Sequence, residues 1–117
     1  MKYLLMIYRD EKVWEALSSA EKNTIELAGT AHEQAQRASG RLMDVTHLPD
    51  QGAAITFRLI DNHPVFIKNA NEARSEQLTS LVFIDAKDLN EAIQIAITMP
   101  QARVGPIAVR SIQKEKP

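Results

Sequence analysis

Two apolar runs with almost no polar interruption stand out in the hydrophobic pattern of the chain. The first covers residues 3–8, and the second lies within Ser80–Ala86, with Val82, Phe83 and Ile84 at its centre. Apolar runs of this length, rich in β-branched and aromatic residues, are typical of strands that are covered on both faces. The pattern therefore predicts that these two segments are central strands of one sheet.

Two further segments show the spacing of amphipathic helices, and each begins with a capping pair. A short helical turn is predicted at residues 13–17. Ser18 with Glu21 then predicts the start of a long helix that ends at Gly40. Asp88 with Glu91 predicts the start of a second helix that Pro100 ends. The predicted buried stripes are Ile25, Ala28, Ala31, Ala35 and Ala38 on the first helix, and Leu89, Ala92, Ile93 and Ala96 on the second.

The other strands are predicted from alternation and from turn residues. The polar segment 42–48 forms one strand, residues 53–60 and 64–68 form a hairpin around a turn at 61–64, and residues 106–112 form the last strand. A second turn is predicted at Pro49–Gly52, and the polar residues 69–79 are predicted to form a loop.

This order of elements predicts an α+β fold of the ferredoxin-like kind, βαββαβ with a hairpin insertion. It forms a single domain over residues 1–112, and residues 113–117 are a loose charged tail. Both helices would cover one face of the sheet. Because the other face also carries apolar residues, we expect a second copy of the chain to cover it, giving a homodimer.

Composition narrows the classes of function. The chain has 14 basic and 15 acidic residues and a formal charge of -1, which predicts no binding to nucleic acid or to an anionic membrane. No stretch approaches the roughly 20 apolar residues of a membrane span. The chain has no cysteine, which fits a cytoplasmic location and excludes thiol chemistry. No phosphate-binding loop and no Gly-x-Ser-x-Gly motif occurs, so we expect no cofactor, no acyl transfer and no nucleotide hydrolysis.

Three histidines are the first candidates for chemistry. None has metal-ligand spacing to another, so no metal site is predicted. His32 is interpreted as a structural residue of the long helix, and His63 as a turn residue. His47, at the end of a polar strand, is the candidate general base, with a plain strand-end histidine as the alternative. Asp44 is three residues earlier in the strand and therefore on the opposite face, so it cannot be the partner of His47.

Four other residues are candidate ligand contacts. Arg58 and Arg110 lie on alternating strands, and two arginines that face a cavity would recognise a carboxylate or a phosphate. Tyr8 and Asp10, at the end of the first strand, would complete such a cleft. The alternative is that both arginines reach solvent from strand ends.

Short matches spread over nearly the whole chain resemble the YCII-related family, in its DGPF branch. They are Met1–Tyr8 with Asp10, Glu11 and Trp14, then Phe83–Asp85 with Ala92, and finally Met99–Ala102 with Gly105, Val109 and Arg110. The resemblance implies a dimeric α+β barrel, and Tyr8 and Arg58 occupy positions that match it.

The chain departs from this branch at one segment. The Asp-Gly-Pro-Phe that names the branch would fall at residues 68–71, which are Lys-Asn-Ala-Asn here, although Glu76, Gln77 and Leu78 match the usual continuation. The acid that the resemblance implies for the cleft is thus replaced by Lys68. The leading hypothesis is a dimer that binds a small anionic or aromatic metabolite in a polar cleft. The alternative is a non-catalytic interaction or accessory module that has lost the cleft acid.

Overall fold

A computed structural model describes residues 1–48, 54–67 and 75–112 of the 117-residue chain. The predicted turn at Pro49–Gly52, the segment that replaces Asp-Gly-Pro-Phe and the charged tail lie outside the described residues. The elements are β1 (Lys2–Asp10), α1 (Glu11–Glu15), α2 (Ser19–Ala38), β2 (Leu42–His47), β3 (Thr56–Ile60), β4 (His63–Ile67), β5 (Glu76–Asp85), α3 (Leu89–Ile97), a 3₁₀ helix (Pro100–Arg103) and β6 (Ile107–Ser111). This is the predicted βαββαβ order with a hairpin inserted between β2 and β5, and the α+β class is confirmed.

The main sheet is antiparallel and has the strand order β2-β5-β1-β6. Its two central strands are β5 and β1, the two apolar runs of the sequence. Alternate residues of β1, namely Tyr3, Leu5 and Ile7, are almost fully buried on the helix side of the sheet. Ile84 is buried opposite Tyr3. The prediction of two central strands is confirmed.

The polar segment before Ser80 differs from the prediction. Residues 76–79 were expected to form a loop, but they are the first part of β5. Their backbone pairs with the far end of β1, where Arg9 lies opposite Gln77, beyond a register shift between Ile7 and Tyr8. Because backbone pairing satisfies the peptide groups of these residues, their polar side chains do not prevent a strand.

Helix α3 supplies the apolar cover of the sheet. The Asp88 side chain accepts a hydrogen bond from the Glu91 backbone N–H, so the predicted N-cap is confirmed. The buried residues of this helix are Ala92, Ile95 and Ala96. The predicted stripe was wrong at Leu89 and Ile93, which are exposed. The helix is rotated so that Ile95, on the next row of its apolar surface, meets the core.

Helix α2 begins with the predicted capping box, since Ser18 and Glu21 exchange side-chain to backbone hydrogen bonds. Its predicted alanine stripe was wrong, because Ala28, Ala31, Ala35 and Ala38 are all exposed. The helix instead turns inward a face that includes Ile25, Gly29, His32, Glu33 and Gln36. Alanine methyl groups gain little free energy on burial, so they did not decide the rotation of the helix.

Strands β3 and β4 form a separate two-stranded sheet. Asp61 and Asn62 make its turn with φ angles of 52° and 66°, as expected for a two-residue hairpin loop in which both central residues adopt positive φ. The predicted hairpin is confirmed, but its turn is shorter than the predicted 61–64, because His63 and Pro64 already belong to β4. Within the described ranges, no helix is long and apolar enough to cross a membrane.

Candidate functional site

A cleft of about 420 Å³ lies between α2 and one end of the main sheet. Its volume falls in the range of roughly 300 to 1,000 Å³ that is usual for small-molecule sites. The residues that line it are Ile7, Tyr8, Arg9, Glu11, Ile25, Glu26, Gly29, Thr30, Glu33, His47, Leu48, Thr79, Ser80, Gln101 and Val104. Two of the predicted ligand residues, Tyr8 and His47, are therefore in the same cleft.

His47 is held between two side chains in this cleft. Its Nδ1 atom is 3.0 Å from the Ser80 hydroxyl oxygen, and its Nε2 atom is 3.4 Å from the Glu33 carboxylate oxygen Oε1. Ser80 is 7% exposed and sits in a central strand, whereas the His47 side chain is 65% exposed. The buried Ser80 hydroxyl on the neighbouring strand thus orients the imidazole, which remains accessible to a ligand.

The chemistry of this arrangement follows from its donors and acceptors. A serine hydroxyl can accept a hydrogen bond from Nδ1–H or donate one to an unprotonated Nδ1, so Ser80 orients the ring in either tautomer. When Nδ1 carries the proton, Nε2 is a proton acceptor on the side of Glu33. When Nε2 carries a proton, it can donate that proton in a hydrogen bond towards the Glu33 carboxylate oxygen. The three side chains therefore have the geometry of an acid–base centre.

Two different interactions bring these residues together. The pairing of β2 with β5 places His47 directly opposite Ser80. The rotation of α2 places Glu33 on the inward face, one turn after Gly29. Asp44, which its strand position ruled out as the partner of His47, accepts a hydrogen bond from the backbone N–H of Val45.

Glu33 was not predicted as a site residue, because the alanine face of α2 was expected to be the buried one. A signal was present in the sequence, since Ile25, Gly29, Glu33 and Gln36 also recur at helical spacing. This partly polar face would have been predicted to point inward only if the helix had been expected to line a binding site. We expected it to cover a hydrophobic core.

Among the residues that the structure describes, the charges that line the cleft are mostly negative. Glu11, Glu26 and Glu33 contribute carboxylates, against the guanidinium of Arg9. The Arg9 guanidinium carbon lies 3.8 Å from the centre of the Trp14 ring. This cation–π contact holds the positive charge next to α1. Ile25 adds apolar surface, and the buried Ile7 and Val104 lie behind it.

Two close approaches shape the wall of the cleft. A Cβ atom at Gly105 would overlap the carbonyl oxygen of Tyr8, so glycine is required there. A Cβ atom at Gly29 would lie 3.4 Å from the Gln101 side-chain nitrogen. The Oε1 atom of Gln101 is buried and has no hydrogen-bond partner among the described residues. Gln101 is thus a polar group of the cleft that the sequence reasoning did not identify.

The other predicted ligand residues lie elsewhere. The Asp10 carboxylate caps α1 and accepts hydrogen bonds from the backbone N–H groups of Lys12 and Val13. Arg58 lies on the hairpin opposite Val65, and Arg110 lies on β6, at the opposite edge of the main sheet from His47. Neither guanidinium is among the residues that line the cleft, so their role in ligand binding stays a prediction.

The remaining histidines are outside the acid–base centre. The His32 Nε2 atom lies 2.9 Å from the Thr98 hydroxyl, and burial lowers the pKa of His32 below its usual value. His63 is the first residue of β4. Within residues 1–48, 54–67 and 75–112, no group of three or more His, Cys, Asp or Glu side chains is arranged to hold a metal ion.

Comparison with solved structures finds a protein of similar fold whose structure contains a bound ligand. The structure is similar to the 5-chloro-2-hydroxyhydroquinone dehydrochlorinase of Burkholderia phenoliruptrix, solved in complex with 2,5-dihydroxybenzoquinone, with a TM-score of 0.56 and 12% sequence identity. The match covers 98% of this chain and 96% of the other. The dehydrochlorinase has the dimeric α+β barrel fold, so the predicted fold class is confirmed.

Comparison at the sequence level identifies the family. An uncharacterised protein of Rhizobium meliloti strain 1021 is 28% identical over 119 residues, covering 100% of this chain and 96% of the relative. The family model described as the YCII-related domain matches residues 1–116. As the resemblance in the sequence predicted, the chain belongs to the YCII-related family.

Proposed function

We propose that the cleft binds a small aromatic metabolite and that His47, assisted by Glu33, transfers a proton to or from it. The observation that carries this proposal is the arrangement of Glu33, His47 and Ser80 in a cleft of about 420 Å³. An accessible imidazole that a buried hydroxyl orients, with a carboxylate beside its second nitrogen, is suited to general acid–base chemistry.

The cleft favours one of the two ligand classes predicted from the sequence. Among the described lining residues, an anionic ligand would meet the carboxylates of Glu11, Glu26 and Glu33, against one guanidinium, that of Arg9. Apolar surface from the half-buried Ile25 suits a flat ring instead. The fold is compatible with such a ligand, because the dehydrochlorinase holds a dihydroxybenzoquinone. An anion remains the ligand expected for Arg58 and Arg110.

The proposal also contains a partner and a location. We infer that the chain forms a homodimer in the cytoplasm. Support comes from the small size of the domain, the apolar residues on both faces of its sheet and the lack of cysteine.

The test is a binding screen by ligand-observed NMR and thermal shift. Its panel contains phenols, dihydroxybenzenes and quinones, with aliphatic carboxylates and phosphates as the second class. A ligand at about 100 times its dissociation constant stabilises the chain by about 2.7 kcal/mol, which is a measurable rise in melting temperature. We expect ring compounds to raise it and simple anions not to.

Two variants locate the binding site. His47→Gln should weaken binding of the best ring compound by about 10-fold, which corresponds to one lost hydrogen bond of about 1.4 kcal/mol. The matched control is His63→Gln, because His63 lies on the hairpin and does not line the cleft. Equal affinity of both variants would exclude His47 from the site.

The alternative is a non-catalytic interaction module. The sequence observation in its favour is the replacement of Asp-Gly-Pro-Phe by Lys-Asn-Ala-Asn at residues 68–71. A screen in which no compound of either class shifts the melting temperature would favour this alternative over the proposed function.

A further inference from the structure

The hairpin of β3 and β4 exposes apolar side chains on both of its faces. Directly opposite residues of an antiparallel pair share a face. Phe57 lies opposite Phe66, and Leu59 lies opposite Pro64, so one face carries these four residues without a polar side chain. The ring centres of Phe57 and Phe66 are 6.0 Å apart. The exposed large apolar residues of residues 54–67 are Ile55, Phe57, Leu59, Ile60, Val65, Phe66 and Ile67.

Such a hairpin is not a stable structure in water by itself. An isolated two-stranded hairpin is marginal, and soluble monomers seldom expose a contiguous apolar patch larger than a few hundred Å². The hairpin forms its own sheet and does not join the main one. Its apolar face therefore requires a partner.

The surface area of the single chain is larger than that of a compact monomer of the same mass. The chain exposes 8451 Å², whereas a compact folded monomer of 13.1 kDa exposes about 6,400 Å². The radius of gyration is 16.5 Å, against about 13 Å for a compact domain of this length. The exposed apolar side chains of the hairpin are part of this surface, and a stable interface needs only about 1,000 Å² of buried area in total.

We propose that the hairpin is an arm that packs its Phe57, Leu59, Pro64 and Phe66 face against a second copy of this chain. A two-fold interface needs only surfaces that one chain already has. A second apolar surface is present on the open face of the main sheet, where Leu4, Met6, Leu81 and Phe83 point away from the buried Tyr3, Leu5, Val82 and Ile84. A formal charge of -1 produces little repulsion between two copies.

A matched pair of leucines tests the arm. Leu59 on the hairpin is 65% exposed and Leu27 on α2 is 64% exposed, so the two side chains differ in place and not in exposure. The mass of the full chain is measured by analytical ultracentrifugation between about 0.1 and about 100 µM, a range that spans the dissociation constants of most stable complexes. We expect twice the chain mass of 13.1 kDa for the parent.

The variants then separate the hairpin from the rest of the surface. Leu59→Gln and Phe66→Ser should weaken the dimer by about 30-fold or more, as expected for residues at the centre of an interface, and Leu27→Gln should not. Circular dichroism melting of each variant establishes that the main sheet is folded. A parent that stays monomeric at about 100 µM would assign the hairpin to another occupant and overturn the proposal.

A second readout identifies the occupant directly. The chain has no cysteine, so Arg58→Cys gives one site for a nitroxide label, on the hairpin face opposite to Phe57. In the proposed dimer, double electron–electron resonance should give one narrow distance between the two labels. A dimer without that narrow distance, or one that Leu59→Gln and Leu27→Gln weaken equally, would show that the copies meet elsewhere and overturn the proposal. The arm rests on the homodimer of the proposed function, and neither measurement uses a ligand, so failure of the arm is distinguishable from failure of the cleft.

Discussion

Helices α2 and α3 cover the same face of the main sheet, but they meet it with different chemistry. Helix α3 buries Ala92, Ile95 and Ala96, whereas α2 turns Gly29 and Glu33 inward and leaves its alanines exposed. The difference assigns each helix a role: α3 closes the hydrophobic core, and α2 forms one wall of a polar cleft. In a domain of this size, one sheet face can therefore serve both stability and a site, provided that each helix covers a different part of it.

The strongest way to break this comparison is to put a charge on the inward face of α3. Ile95 is 5% exposed, so Ile95→Asp should lower the free energy of unfolding by at least about 3 kcal/mol, a large part of the total of about 5 to 15 kcal/mol. Urea denaturation measures the change. The control Ile97→Asp lies on the same helix but is 63% exposed, and it should cost less than about 1 kcal/mol. Similar costs for both variants would contradict the assignment of α3 to the core.

A glycine–alanine exchange on α2 gives an effect of about 1 kcal/mol. Gly29→Ala should raise stability by up to about 1 kcal/mol through helix propensity, because the added Cβ meets only the end of the Gln101 side chain, at 3.4 Å. Ala28→Gly, one position earlier and exposed, should lower it by a similar amount. If Gly29→Ala destabilised the chain by more than Ala28→Gly does, α2 would be packed more tightly against Gln101 than the structure indicates.

An apolar replacement on the inward face of α2 should have a smaller effect. The Glu33 carboxylate lies 3.7 Å from the Arg37 guanidinium and 3.4 Å from the His47 Nε2 atom, and such partly exposed contacts contribute at most about 1 kcal/mol. Glu33→Leu should therefore change the free energy of unfolding by less than about 1 kcal/mol, in clear contrast to Ile95→Asp. Differential scanning calorimetry of the two variants compares them. A large loss of stability in Glu33→Leu would mean that this face is structural and not part of a site.

The smallest expected effect is a pH dependence from His32. Burial lowers its pKa in the folded chain below the unfolded value of about 6.5, so in the interval between the two values the unfolded chain binds more protons. Stability from this group is fully present above pH about 6.5 and falls as the pH drops towards the lowered folded-state pKa. His32→Gln keeps a polar partner for Thr98 and should reduce this loss of stability on acidification. Chemical denaturation at pH values on both sides of about 6.5 measures it, and an unchanged slope would contradict it.

Much of the fold was readable from local patterns. Ser18 and Asp88 were recognised as caps because a cap is made by a side chain and a backbone N–H a few residues away. The hairpin turn at Asp61 and Asn62 was also recognised locally, because Asp and Asn tolerate the positive φ angles of such a turn. The candidate site was only partly readable. Tyr8 and His47 both line the cleft. Glu33, which lies beside His47, and Gln101, which also lines the cleft, were not identified from the sequence.

What the sequence determined by itself is the set of elements, the two central strands and the places where helices begin. These depend on apolar content and on hydrogen bonds between near neighbours, and both are properties of a short segment. The tertiary structure alone decided which face of α2 turns inward and that β5 begins as early as Glu76. Both depend on partners far away in the chain. Gln101 packs under Gly29, and Arg9 pairs with Gln77. Because the alanines of α2 contribute so little free energy on burial, these distant contacts outweighed them, and they brought Glu33 to His47.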